Sequence, residues 1–214
     1  MAAAELKLGR YDWLHPGLMY NLFRAFWMQL APVSLVRNFS SPRLLHLPAV
    51  DPVPGTPKRY VAVKFYTNHA LPDTLENKQF VMSVVERLVK HTNVVLLQTG
   101  LALDEHGEYS GEKAGVYTIR HLMTPGTNLD VQTRVIARAD ALVSTYGGFS
   151  YLGPLLGVKT LALYSNPDGF RSDHLEVAQR TFHDLSTPPF VTVHCDDVTT
   201  FEGLLGSERL AVAT

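Results

Sequence analysis

The spacing of apolar residues changes character near residue 58. Upstream, Leu18, Leu22, Phe26 and Leu30 recur every four residues, and Met19, Phe23 and Trp27 form the adjacent row. Asn21, Arg24 and Gln29 lie off this stripe. The pattern predicts an amphipathic helix over 16–30 with a wide, aromatic apolar face. Such a face needs a cover. Two covers are open, packing on this or a sister domain and lying in a membrane interface, and packing is preferred. Arg24, Asn21, Gln29 and Pro32 interrupt the apolar run over 13–36, which falls short of the about 18 uninterrupted apolar residues of a spanning helix. No transmembrane segment is expected. Between residues 48 and 57, four prolines and one glycine fall within ten residues. That density predicts a stiff extended linker and divides the chain into an N-terminal helix and linker (1–57) and a main domain (58–214).

Downstream, the period alternates between strand and helix. Strands are predicted at 60–66 (YVAVKFY), 93–98 (NVVLLQ), 116–119, 141–144, 160–164 (TLALY) and 191–194. Helices are predicted at 73–91, 129–139, 149–156, 173–182 and 200–205. In the first of these Phe80, Val84 and Leu88 share a face beside Val81 and Val85, and Asp73 with Glu76 fits a capping box. The segment 101–115 reads as a loop. Strands alternating with helices predict an α/β fold, a Rossmann-like parallel sheet with helices on both faces, plus the N-terminal helical appendage. Right-handed crossovers then place the loops after the strands on one edge, where such sheets bind ligands.

Composition narrows the function classes. With 19 basic against 20 acidic residues and a net charge of −1, no basic field suggests nucleic acid. Cys195 is the single cysteine, so no intrachain disulfide forms, and a reducing, cytoplasmic setting is expected. Residues 1–10 lack the apolar core of a secretory signal. The sequon Asn38-Phe39-Ser40 is read as a chance match. The nine histidines show no H-x-x-x-H spacing and D-x-D is absent, so no bound metal is expected.

Chemistry concentrates in the stretch from Ala141 to Tyr164, which reads strand, diglycine turn, short helix, glycine, strand. Gly147 and Gly148 let the backbone turn and approach a ligand without a Cβ between. The N–H groups of the following helix, with Phe149 at its start and the Ser150 hydroxyl nearby, suit a diphosphate. A simple tight strand-to-helix turn is the competing reading of the same residues.

The pattern resembles the nucleotide-sugar donor-binding, C-terminal domain of GT-B glycosyltransferases. Thr124-Pro125-Gly126-Thr127-Asn128-Leu129 leads into a helix ending Ile136-Ala137-Arg138-Ala139-Asp140, then a strand, then the diglycine turn. Ser165 to Phe170 follows the next strand, and Ser172-Asp173-His174-Leu175 opens a helix. The resemblance covers residues 58–185. It implies a nucleotide-diphosphate sugar as donor substrate, no further cofactor, and a carbohydrate or other hydroxyl acceptor. Two departures stand out. Leu152 occupies the position where many members carry a ribose-binding Glu, and Lys159 stands where Pro is usual. By the same resemblance the nucleobase would lie near 116–123.

Further candidates follow from position. Lys64, at the end of the first strand, could offset diphosphate charge, or be a surface lysine. Tyr146, Asn128, Gln132 and Arg120 are candidate nucleotide or sugar contacts. Asn68 could meet phosphate or acceptor. His69 and His174 are the candidates for a catalytic base.

Rival readings are an α/β-hydrolase and a dinucleotide-binding dehydrogenase. For the hydrolase, Gly148-Phe149-Ser150-Tyr151-Leu152 nearly matches G-x-S-x-G, but Leu152 replaces the second glycine. For the dehydrogenase, the spacing and late position do not fit G-x-G-x-x-G. A non-catalytic nucleotide-binding or oligomerising module is the main alternative, because residues 1–57 are too short for an acceptor domain. The expected partners are therefore a nucleotide sugar, an acceptor, and a separate acceptor domain or a second copy. Peripheral membrane contact through 16–30 would go with the interfacial reading of that helix.

Overall fold

A computed structural model describes residues 24–38, 51–100, 107–109 and 114–198. The chain divides into two compact units, Met1–Arg43 and Leu44–Thr214.

In the first unit, residues 24–27 are helical and a second short helix spans Val33–Asn38. The predicted helix does not reach Leu30. Gln29 adopts φ 62°, Leu30 N–H donates to Ala25 O at 2.8 Å and Gln29 N–H to Phe26 O at 2.9 Å. This is a Schellman end with glutamine in the left-handed position that glycine usually fills. Phe26 is buried, whereas Trp27, Met28 and Leu30 are exposed. The remainder of the predicted helix, 16–23, lies outside the described residues, as do the sequon's Phe39 and Ser40, the final helix at 200–205 and most of the 101–115 loop. No helix among the described residues is long and apolar enough to cross a membrane.

The second unit is a doubly wound α/β domain. Six strands are described: β1 (Val61–Lys64), β2 (Val94–Leu96), β3 (Val116–Thr118), β4 (Ala141–Thr145), β5 (Thr160–Tyr164) and β6 (Phe190–His194). They form one sheet in the order β3-β2-β1-β4-β5-β6, and every pairing is parallel. The helices are α1 (Leu75–His91), α2 (Asn128–Ala137), the one-turn α3 (Leu152–Leu155) and α4 (Ser172–Asp184).

Alternating side chains build a core on each face of the sheet. Val63, Val94, Leu96 and Val143 join Val81, Val84 and Val85 of α1. Tyr60, Ala62, Val95, Leu97 and Leu142 join Val131, Val135 and Ile136 of α2. The apolar runs of these strands are continuous because both faces are covered. Two local readings shift. Helix α1 is capped by Thr74, whose Oγ1 accepts from Asn77 N–H at 3.1 Å, rather than by Asp73. The segment expected as linker is in part a turn of the domain: Val53 is buried in the α2-side core, and Thr56 closes back on Val53 O.

The chain runs outward from β1 to β2 and β3, then returns through α2 to β4 on the other side of β1. The topological switch point therefore lies between the C-terminal ends of β1 and β4, where open α/β sheets present their ligand crevice.

Candidate functional site

The ends of β1 and β4 are tied together before either loop departs. Thr145 Oγ1 accepts from Tyr66 N–H at 3.0 Å and donates to Tyr66 O at 2.9 Å. Asn68 Nδ2 donates to Tyr146 O at 2.9 Å, and its Oδ1 accepts from Leu71 N–H at 2.8 Å. Asn68, a candidate ligand contact from the sequence, thus joins the two loops across the switch point.

Gly147 follows at φ 156°, ψ −173°, a region open in practice to glycine alone. A Cβ here would meet Tyr66 Oη at 2.5 Å and Asn68 Nδ2 at 3.2 Å. Gly148 differs: a Cβ there would meet nothing within 4 Å. The space above Gly148 is open, and the absence of a side chain keeps its backbone reachable. A 3-10 turn over Gly148–Tyr151 continues into α3. The N–H groups of Gly148 and Phe149 open this helical segment, ahead of the first intrahelical acceptor.

Ser150 is fully buried, and its Oγ donates to Gly147 O at 2.7 Å while its N–H reaches the same oxygen at 3.0 Å. The hydroxyl expected to meet a ligand instead closes the turn that holds Gly147 in place. The hydrolase reading is corrected on the same ground, because a nucleophile must reach substrate and this one has no exposed surface.

Lys64, expected as a free cation, is buried and internally balanced. Its Nζ donates to Leu97 O at 2.9 Å and pairs with Glu108. Glu108 also accepts from Thr99 N–H at 2.9 Å, Thr99 Oγ1 at 3.0 Å and Gly100 N–H at 2.9 Å. Burial works to raise the Glu108 pKa. The hydrogen bonds from Lys64, Thr99 and Gly100, with the Lys64 charge, outweigh it and hold the carboxyl below its ordinary value. The Phe149 ring lies 5.7 Å from Lys64 Nζ, at cation–π distance. The pair thus lies next to Phe149, which follows the diglycine turn.

Tyr146 is buried and donates its hydroxyl to Arg171 O at 2.8 Å. It accepts from Tyr151 Oη at 3.1 Å and packs against Phe170 with ring centroids 4.8 Å apart. Burial first, then the Asp173 charge, raises its pKa, against the Tyr151 hydrogen bond.

The other candidates lie on neighbouring connections of the same sheet edge. Asn128 and Gln132 sit on α2, where Asn128 Nδ2 caps onto Pro125 O at 2.9 Å and Gln132 Nε2 donates to Asn128 O at 3.2 Å. Arg120 follows β3 and is exposed. His69 is exposed on the β1 loop, and its backbone carbonyl accepts from Asn166 Nδ2 at 2.9 Å. His174 is half-buried at the start of α4, beside the bidentate Arg171–Asp173 pair at 3.0 and 2.7 Å. Burial and the Arg171 charge push its pKa down, which favours the neutral imidazole that a base requires. The fold therefore brings Lys64, Tyr146, Gly147, Gly148, Phe149 and Ser150 to the switch point. Arg120, Asn128 and Gln132 belong to the β3–α2 connection, and His174 to the β5–α4 connection.

Two residues at the switch point are absent from the sequence-derived set. Tyr66 fixes Gly147 as glycine, and Glu108 neutralises Lys64. The first was legible only as a strand aromatic. The second is an acid in a polar loop, a position that carries no local signal.

No protein-family model matches the chain, and no curated protein matches it. Among solved structures the chain is similar to Thermosulfurimonas dismutans KpsC, beta Kdo 2,4 transferase, at 16% sequence identity and a TM-score of 0.38. That similarity covers 72% of this chain and 46% of the other, so the chain spans less than half of that protein's length.

Proposed function

We propose that residues 58–214 are the nucleotide-sugar donor-binding domain of a GT-B-type glycosyltransferase. The observation that carries the reading is Gly147-Gly148 at the β1/β4 switch point, with open space above Gly148. The order of elements around the turn, which resembles that family's donor domain, supports it further.

In this reading the donor diphosphate lies over Gly148 and accepts hydrogen bonds from the N–H groups of Gly148 and Phe149. The acceptor oxygen bonds to the anomeric carbon as the bond from that carbon to the diphosphate breaks. The same N–H groups stabilise the charge that grows on the leaving diphosphate. Ser150 and Lys64 act behind this surface: Ser150 holds the turn, and the Lys64–Glu108 pair supports Phe149. His69 and His174 are the candidates for a base within the chain, and a second domain or copy would supply the acceptor side. The donor is bound without metal.

Calorimetric titration with UDP, GDP, ADP, CMP and dTDP, without and then with magnesium, tests the reading. Micromolar binding of one diphosphate without magnesium is expected. A folded protein that binds none of them contradicts it.

A nucleotide-binding module without transferase activity is the second reading. The internal pairing of both Lys64 and Ser150 favours it, since neither is offered to a substrate. Diphosphate binding with no release of sugar from the matching nucleotide sugar, when acceptor fractions and candidate partner domains are supplied, would select it.

A further inference from the structure

A buried oxygen at the start of α2 has no use within the fold. Gln132, one turn into that helix, is only 3% exposed, and its neighbours Val131, Val135 and Ile136 belong to the core on this face of the sheet. Its carboxamide reaches back to the first turn, where Nε2 donates to Asn128 O at 3.2 Å and lies 3.4 Å from Asn128 Oδ1. Its Oε1 is buried, and among the described residues no hydrogen-bond donor meets it.

The neighbours fix which way the amide points. Asn128 Nδ2 donates to Pro125 O at 2.9 Å, which leaves Asn128 Oδ1 facing Gln132. Exchanging the oxygen and nitrogen of Gln132 would set its oxygen against two acceptors, Asn128 O and Oδ1. The unmatched atom is therefore an acceptor. Burying such an oxygen without a donor is costly, and an apolar side chain of the same length would fill the space without that cost. Ser150 gives the contrast: it is as deeply buried, but its hydroxyl is used within its own turn. The turn above Gln132, Thr124 to Thr127, is exposed at each residue and is the part that gives way as a ligand enters.

Polarity narrows the partner. An amide oxygen takes an N–H or an O–H. The first-turn N–H groups of α2 make the surroundings positive, which disfavours an ammonium, so the partner is a neutral donor. A diphosphate over Gly148 carries none, whereas the nucleoside attached to it carries hydroxyls and N–H groups. Helix α2 leads through β4 into the diglycine turn, and Phe149 and Leu152 pack against the same core as Val131 and Val135. The two helix starts therefore share one edge of the sheet.

Resting on the donor-domain reading, we propose that Gln132 Oε1 accepts a hydrogen bond from the nucleoside of the bound nucleotide, from a ribose hydroxyl or a base N–H, and so determines which nucleotide binds.

Gln132→Met keeps the length of the side chain and removes the carboxamide. Urea unfolding, which needs no ligand, should show the variant unfolding at the same or a higher urea concentration, because the unmatched oxygen is gone. A clear drop in the midpoint would make the carboxamide a structural group and overturn the proposal. UDP, GDP, ADP, CMP and dTDP are then titrated into both proteins by calorimetry. The nucleotide that wild type binds should bind Gln132→Met about tenfold more weakly. Equal affinity overturns this proposal and leaves the donor-domain reading standing, whereas no binding to wild type removes both. The 2′-deoxy and 3′-deoxy forms of the same nucleotide locate the donor. A loss on removing one hydroxyl that appears in wild type and not in Gln132→Met assigns that hydroxyl. A Gln132→Met effect that persists with both deoxy forms assigns a base N–H.

Discussion

The phenol oxygen of Tyr66 lies 2.5 Å from the position a Cβ on Gly147 would take. Contact and backbone conformation act together here, since φ 156° already disfavours a side chain. Gly147→Ala should lose about 1–3 kcal/mol of stability, measured by urea unfolding. Adding Tyr66→Phe removes the oxygen that clashes but not the strained backbone. The double variant should recover part of the loss, and full recovery or none would show that only one of the two effects operates.

The Lys64–Glu108 pair makes an asymmetric prediction. Lys64→Met leaves Glu108 with the Thr99 and Gly100 donors, whereas Glu108→Gln leaves a buried ammonium without its counter-charge. Glu108→Gln should cost about 3–5 kcal/mol and Lys64→Met clearly less. The double variant should cost less than the sum of the two, and additivity in the cycle would show that the pair is not coupled.

The same carboxylate sets a pH dependence. Its folded pKa is depressed below the ordinary 4.5, so its contribution is fully present above that value. The contribution is lost as pH falls from 4.5 through the folded pKa, where the unfolded state takes up the proton first. Between neutral pH and about pH 3, wild-type stability should therefore fall more steeply than that of Lys64→Met/Glu108→Gln. Parallel curves would remove Glu108 as a source of the acid response.

Cys195 offers a simple chemical check. Burial, then the neighbouring Asp196, pushes its thiol up to about 12. Alkylation at pH 8 should be far slower than for a free thiol in denaturant, because the thiolate is the reacting form. Equal rates in native and unfolded protein would contradict that environment.

Much of the fold was legible because burial on both faces leaves a plain mark. A short apolar run such as Val94-Val95-Leu96, bounded by Asn93 and Thr99-Gly100, reads as a strand covered on two sides, and β5 matches its predicted bounds of 160 and 164. Ends were harder to read. Gln29 ends a helix in a conformation that glycine usually announces, and Thr74 takes the cap that Asp73 also could. The diglycine turn was visible as a pattern, but its place at the switch point follows from strand order, which no local pattern contains. The roles of Lys64 and Ser150 depended on Glu108 and on the carbonyl of Gly147. One partner is 44 residues distant, and the other is a backbone atom. Residue type alone could not assign them.

The most direct test of the central claim compares nucleotide-diphosphate affinity in wild type and Gly148→Val by calorimetry. Nothing lies within 4 Å of a Cβ at this position, so the variant should fold and melt like wild type. If a diphosphate rests on the Gly148 backbone, the added side chain blocks its approach and binding should be lost. A folded Gly148→Val protein with unchanged affinity would mean that the ligand does not bind at the diglycine turn.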